Sequence, residues 1–153
     1  MAKSILNSFD RDQMIRRIKS VDQDSKKLWG KMNVNQMICH LADQLRMAMG
    51  EVECRDKSTF FSRTFVKYLA VNIIDAPPEK VKTVHELDQE RGGTKATEIE
   101  NDKQILIAKL EKFVSINSES QIYPHGVFGK LSKKEWGKLI YKHLDHHLKQ
   151  FSN

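Results

Sequence analysis

Apolar residues recur at helical spacing in five stretches of this chain and almost nowhere alternate as a strand would require. The clearest stretch opens at Asn33, where Asn33-x-x-Gln36 has the form of a capping box, and runs to about Gly50. Its Val34, Met37, Ile38, Leu41, Leu45, Ala48 and Met49 follow the 3, 4, 7 pattern of one buried face. A first helix is predicted over 10–20, with Asp10 as N-cap and Met14, Ile15 and Ile18 inward. A third fits 58–74, carrying Phe61, Phe65, Tyr68 and Leu69, and must stop before Pro77-Pro78. A fourth spans about 98–115. The last opens with Ser132-x-x-Glu135, a second capping box, and runs to about Phe151. Between them lie a polar connection at 79–97, read as a surface loop with a flexible Gly92-Gly93 tip, and a loop at 116–131. Such a pattern specifies an all-α helical bundle, and 153 residues suit one domain over 1–153.

Composition removes several function classes. No apolar run approaches the roughly 18–20 residues that cross a bilayer, and the start lacks the apolar core of a secretory signal. Two cysteines, Cys39 and Cys54, form neither a CxxC pair nor a disulfide framework, so the cytoplasm is the expected compartment. The net charge is +6, but its lysines and arginines are dispersed and no nucleic-acid motif accompanies them. The expected partner is a small-molecule substrate, with neither nucleic acid nor membrane, and with a homodimer as the assembly to consider.

Histidine placement carries the chemistry. Three of the six fall in the last helix: His143, His146 and His147. At about 100° per residue, His147 falls near the middle of the apolar arc of Trp136, Ile140 and Leu144, with His143 one turn earlier. His146 lies at the edge, toward solvent. Residues four apart have Cβ atoms about 5–6 Å from each other, which lets two imidazoles converge on one ion. Two inward imidazoles without partners would otherwise each cost roughly 1–3 kcal/mol. A two-histidine site is incomplete, and His40, on the flank of the second helix's apolar face, is the candidate third corner. Taken alone, His40 reads as a boundary histidine.

Spacing excludes two metal-site classes. His85-Glu86 is followed by Gln89 where a zinc protease helix needs its second histidine, and no histidine has a glutamate three residues before it, as di-iron bundles require. Three neutral imidazoles instead suit one divalent ion, Zn, Ni or Fe, with an open position. Free imidazoles have a pKa near 6.5, so metal affinity is expected to fall below about that pH. Cys39 is read as pointing away from the buried stripe and Cys54 as lying in a polar connection, so any nucleophile is external, a water or a thiol.

Trp29-Gly-Lys-Met32, Asn35-Gln36-Met37-x-x-His40, His125-Gly-Val-Phe-Gly129 and His143-x-x-His146-His147-x-x-Gln150-Phe151 together resemble the DinB/YfiT-like metalloenzymes. The resemblance extends over nearly the whole chain, though this loop reads Pro124-His125-Gly126 where that family usually has His-Pro. It implies a four-helix bundle with an inserted helix, here about 58–74, and His40, His143 and His147 as metal ligands. It also implies thiol-dependent S-transfer with a low-molecular-weight thiol, or metal-dependent hydrolysis. The loop 121–130 is expected to wall the pocket, with His125 orienting water or substrate beside the ion. The competing expectations are a metal- or ligand-binding module without turnover, and histidines that merely hydrogen-bond within the bundle.

Overall fold

A computed structural model describes residues 2–73 and 85–152, and all its regular structure is helical. The helices are α1 (Ser8–Ser20), α2 (Val34–Ala48), α3 (Lys67–Asn72), α4 (Ile99–Ser115) and α5 (Lys133–Gln150). A π-helical stretch, Ser62–Val66, runs straight into α3, and 3₁₀ turns occupy His85–Leu87 and Glu119–Gln121. Among the described residues the sole β-type pairing is the single bridge His125–Gly129.

Local chemistry sets the helix ends. Asn33 Oδ1 accepts from Gln36 N at 2.8 Å while Gln36 Oε1 accepts from Asn33 N at 2.9 Å, which satisfies two otherwise orphan donors at the start of α2. Ser132 and Glu135 do the same for α5. At α1 the cap is Asn7 rather than Asp10; Asp10 sits inside the first turn, where its carboxylate accepts from Ser4 N at 3.0 Å. Beyond α2, Gly50 takes φ +71°, a left-handed conformation that stops the helix and that glycine adopts without a Cβ penalty. The predicted end of the 58–74 helix at Ile74, Pro77-Pro78 and the first part of the 79–97 connection lie outside the described residues.

Both α1 and α2 pack on α4 and on α5, and α3 rests on α5. Trp136, Phe113, Met37, Ile38, Leu106 and Leu110 fill the space between the four long helices. Helix α2 is buried well beyond its apolar stripe: Cys39, Asp43 and Gln44 are also covered. Cys39 therefore does not face outward, as its place on the helical wheel predicts. Cys39 lies against Asp102 of α4 and Gln44 against His143 of α5, while Asp43 is covered by the polar connection after residue 85. Asp43, 1% exposed, pairs with Arg46 at 2.7 Å and accepts from Gln89 Nε2, Thr94 N and Thr94 Oγ1. Residues 87–94 are thus fastened across α2 rather than forming a loose loop. Burying a carboxylate is tolerable only with such complete pairing.

Candidate metal centre

Three histidines from two helices meet beneath this covering segment. His40 projects from α2, and His143 and His147 from successive turns of α5; their ligand-type atoms all lie within 4.8 Å of one another. His40 Nε2 is 3.0 Å from His143 Nε2, and His147 Nε2 is 3.1 Å from the same atom. His40 is 3% exposed, although sequence places it on a flank, because the turn at 85–87 closes over it. His143 keeps partial access to solvent.

The opposite ring nitrogens decide which lone pairs converge. His40 Nδ1 lies 2.8 Å from the Leu87 carbonyl, His143 Nδ1 2.8 Å from Gln44 Oε1, and His147 Nδ1 3.0 Å from Gln150 Oε1. A carbonyl oxygen only accepts, so each Nδ1 carries the proton and each neutral ring presents an Nε2 lone pair inward. Gln150 has its orientation fixed from the other end, since Nε2 donates to the Trp29 carbonyl at 2.6 Å. The Trp29-Gly30 turn comes close enough for this because Gly30 has φ +81° and no side chain; a Cβ there would sit 2.1 Å from Gln150 Nε2.

Three acceptors facing one another, with no donor among them, form a repulsive arrangement unless a cation joins them. Tetrahedral Zn–N bonds of about 2.0–2.1 Å place ligand nitrogens about 3.3 Å apart, close to the two spacings from His143 Nε2, 3.0 and 3.1 Å. The donor set, three neutral imidazoles with second hydrogen bonds to carbonyl oxygens, therefore fits a divalent ion. Among the described residues, no fourth histidine, cysteine or carboxylate joins the group.

Burial governs the protonation of these rings. It pushes the His143 pKa well below the usual imidazole value, with His147 and His40 adding to the effect. It pushes His147 down to about 3, against the opposing hydrogen bond to Gln150. His40 is also lowered, although its bond to Leu87 acts the other way. Burial thus moves proton competition for these nitrogens below the usual imidazole range.

The other predicted residues stand outside the trio. His146 meets Trp29 edge-on at a ring separation of 6.0 Å and lies 4.9 Å from the His147 ring. His125 stacks on Phe128 at 4.6 Å, and its Nδ1 accepts from Val127 N and Phe128 N, so it organises its own turn. It makes no hydrogen bond to the three histidines, and burial lowers its pKa to about 4. The His85 side chain lies outside the described residues. Burial raises the Cys39 thiol to about 12, with Asp102 contributing, and the Cys54 thiol to about 11. Sequence reasoning missed Gln44 and the Leu87 carbonyl as orienting groups. A signal for Gln44 existed, four residues after His40 on the same side of α2.

Comparison with curated proteins finds no match, and comparison with solved structures finds none. Over residues 2–153 the chain matches the model of DUF1569, a family described as a protein of unknown function, and it belongs to that family.

Proposed function

We propose that His40, His143 and His147 hold one divalent ion, Zn, Ni or Fe, and that the chain is a metal-dependent enzyme acting on a small molecule. The observation that carries this reading is the convergence of three Nε2 lone pairs whose Nδ1 protons are all committed to carbonyl oxygens. When bound, the ion supplies a Lewis acid that lowers the pKa of a water or thiol at an open position. Gln44, Gln150 and Leu87 keep the three rings in the ligating tautomer and fix their aim. Asp43 fastens the segment that brings Leu87 to His40. The raised pKa values of Cys39 and Cys54 keep both as thiols at neutral pH, so the nucleophile comes from outside the chain.

The reaction class rests on the sequence resemblance to DinB/YfiT-like metalloenzymes: thiol-dependent S-transfer with a low-molecular-weight thiol, or hydrolysis. The mutual packing of α1, α2, α4 and α5 supports a four-helix bundle of that type, with the π-helical stretch and α3 as its inserted helix. Three protein ligands, with partial solvent access at His143, support chemistry over mere retention of a metal. The test is turnover by metal-loaded, untagged protein of small electrophiles with low-molecular-weight thiols, and of simple esters and amides. Turnover that disappears on chelation and in His143→Ala is the expected result. Stoichiometric metal with no turnover in any arm would leave a binding module instead.

A further inference from the structure

Phe60, Phe61, Phe65 and Tyr68, on the π-helical stretch and its flanks, are between 54% and 86% exposed. Four rings at that exposure present on the order of 500 Å² of apolar surface, near the upper end for the largest patch on a monomer. Phe61, Phe65 and Tyr68 recur at i, i+4 and i+7, so one helical side faces outward. The opposite side is tied down. Ser62 Oγ donates to the Val127 carbonyl at 2.7 Å, Lys67 pairs with Glu135 at 3.3 Å, and Lys142 Nζ donates to the Ala70 carbonyl at 3.1 Å. The rings are therefore displayed on a segment anchored to the body.

Charge is concentrated in the segments that carry and anchor these rings. Residues 53–67, which contain the aromatic stretch, and 130–142, the loop end and α5 turns bonded to it, hold nine Lys and Arg against three Asp and Glu. Their net +6 equals that of the whole chain, leaving the remainder neutral. Glu86 adds one acid at the edge, where it accepts from Arg55 N at 3.3 Å. Against the expectation of no membrane partner drawn from charge scattered along the sequence, we infer that this face docks the protein on an anionic lipid surface, with the aromatic rings entering the interface and Arg55, Lys57 and their basic neighbours meeting headgroups. No described helix is long and apolar enough to cross a membrane, so the attachment is peripheral.

Charge complementarity selects this occupant. A second copy would bring another face of the same sign against the first, which opposes self-association here. A single-stranded nucleic acid would need open ring faces for stacking, whereas Phe61 and Phe65 already pack on each other at 5.4 Å with planes 31° apart. Rings partly packed together and cations around them suit the lipid interface, where apolar burial and headgroup attraction add.

The experiment sediments the full chain with vesicles of phosphatidylcholine alone and vesicles in which a third of the lipid is phosphatidylserine. Binding to the anionic vesicles alone, released by salt of about 1 M, is expected. Phe61→Ser/Phe65→Ser should lower partitioning at least about ten-fold, and Arg55→Ala/Lys57→Ala about 25-fold. These residues are exposed, and an unchanged helical spectrum separates lost docking from lost folding. Failure to sediment with anionic vesicles, equal sedimentation with neutral ones, or variants that bind like the wild type would each overturn the inference. So would a dimer in sedimentation velocity that the phenylalanine variants dissociate, or a single-stranded oligonucleotide that displaces the vesicles.

Discussion

Replacing Gln44 by Leu removes the acceptor for His143 Nδ1 while keeping the volume of a side chain that is only 4% exposed. In the metal-free protein the His143 ring has an escape. Its proton moves to Nε2, where His40 Nε2 at 3.0 Å or His147 Nε2 at 3.1 Å accepts it. One hydrogen bond replaces another of similar worth, so metal-free stability should change by no more than about 1 kcal/mol. Metal binding reverses this, because Nε2 must give up the proton and Nδ1–H is then buried without a partner. That penalty, roughly 1–3 kcal/mol, corresponds to about a 10- to 100-fold loss of metal affinity. Gln44→Glu keeps an acceptor in place and should bind at least as tightly as wild type. The assay is competition for metal against a chromophoric chelator, paired with urea unfolding of the metal-free proteins. A Leu variant that binds within two-fold of wild type, or Leu and Glu variants equally impaired, would refute the tautomer argument.

Gly30→Ala introduces a Cβ where Gln150 Nε2 now lies and a side chain at φ +81°, so it should destabilise by at least about 1 kcal/mol and weaken metal binding through His147; unchanged affinity with unchanged unfolding would contradict it. His146→Ala should retain the ion while His147→Ala loses it, as metal content after gel filtration will show. Acid stability follows from burial, which lowers the folded pKa of His125 to about 4 and of His147 to about 3. Above about pH 6.5 neither ring matters. Below it the unfolded chain takes up protons that the folded chain refuses, so metal-free stability falls by up to about 1.4 kcal/mol per pH unit for each group, down to its folded pKa. Urea midpoints that stay level between about pH 6.5 and 4.5 would disprove this.

Much of this architecture is legible in the sequence because its signals are local. Period fixes the long helices, Asn33/Gln36 and Ser132/Glu135 fix two of their starts, and four-residue spacing puts His143 and His147 on one face. What escapes is whatever one element does for another. Cys39 reads as turned away from the apolar stripe of α2, yet it lies against Asp102 of α4, and Asp43 beyond it is covered by a polar segment distant in sequence, with Gln89 and Thr94 matching its carboxylate. Polar composition at 85–97 marks solvent only until a buried charge needs those groups. His40 is drawn from flank to interior by the same segment, through a backbone carbonyl that has no sequence signature. Around 61–68 the apolar pattern is present, but its apolar side faces outward, a choice that periodicity alone does not make.

The central claim is that three Nε2 atoms form one metal site, and the most direct measurement is the metal content and metal-edge X-ray absorption of untagged protein, beside a His40→Ala/His143→Ala/His147→Ala variant. The account predicts one divalent ion per chain, with imidazole scattering from three nitrogens at about 2.0–2.1 Å if the ion is zinc, and none in the triple variant. A wild-type protein that stays metal-free after exposure to Zn, Ni and Fe, or a triple variant that keeps its ion, would contradict it.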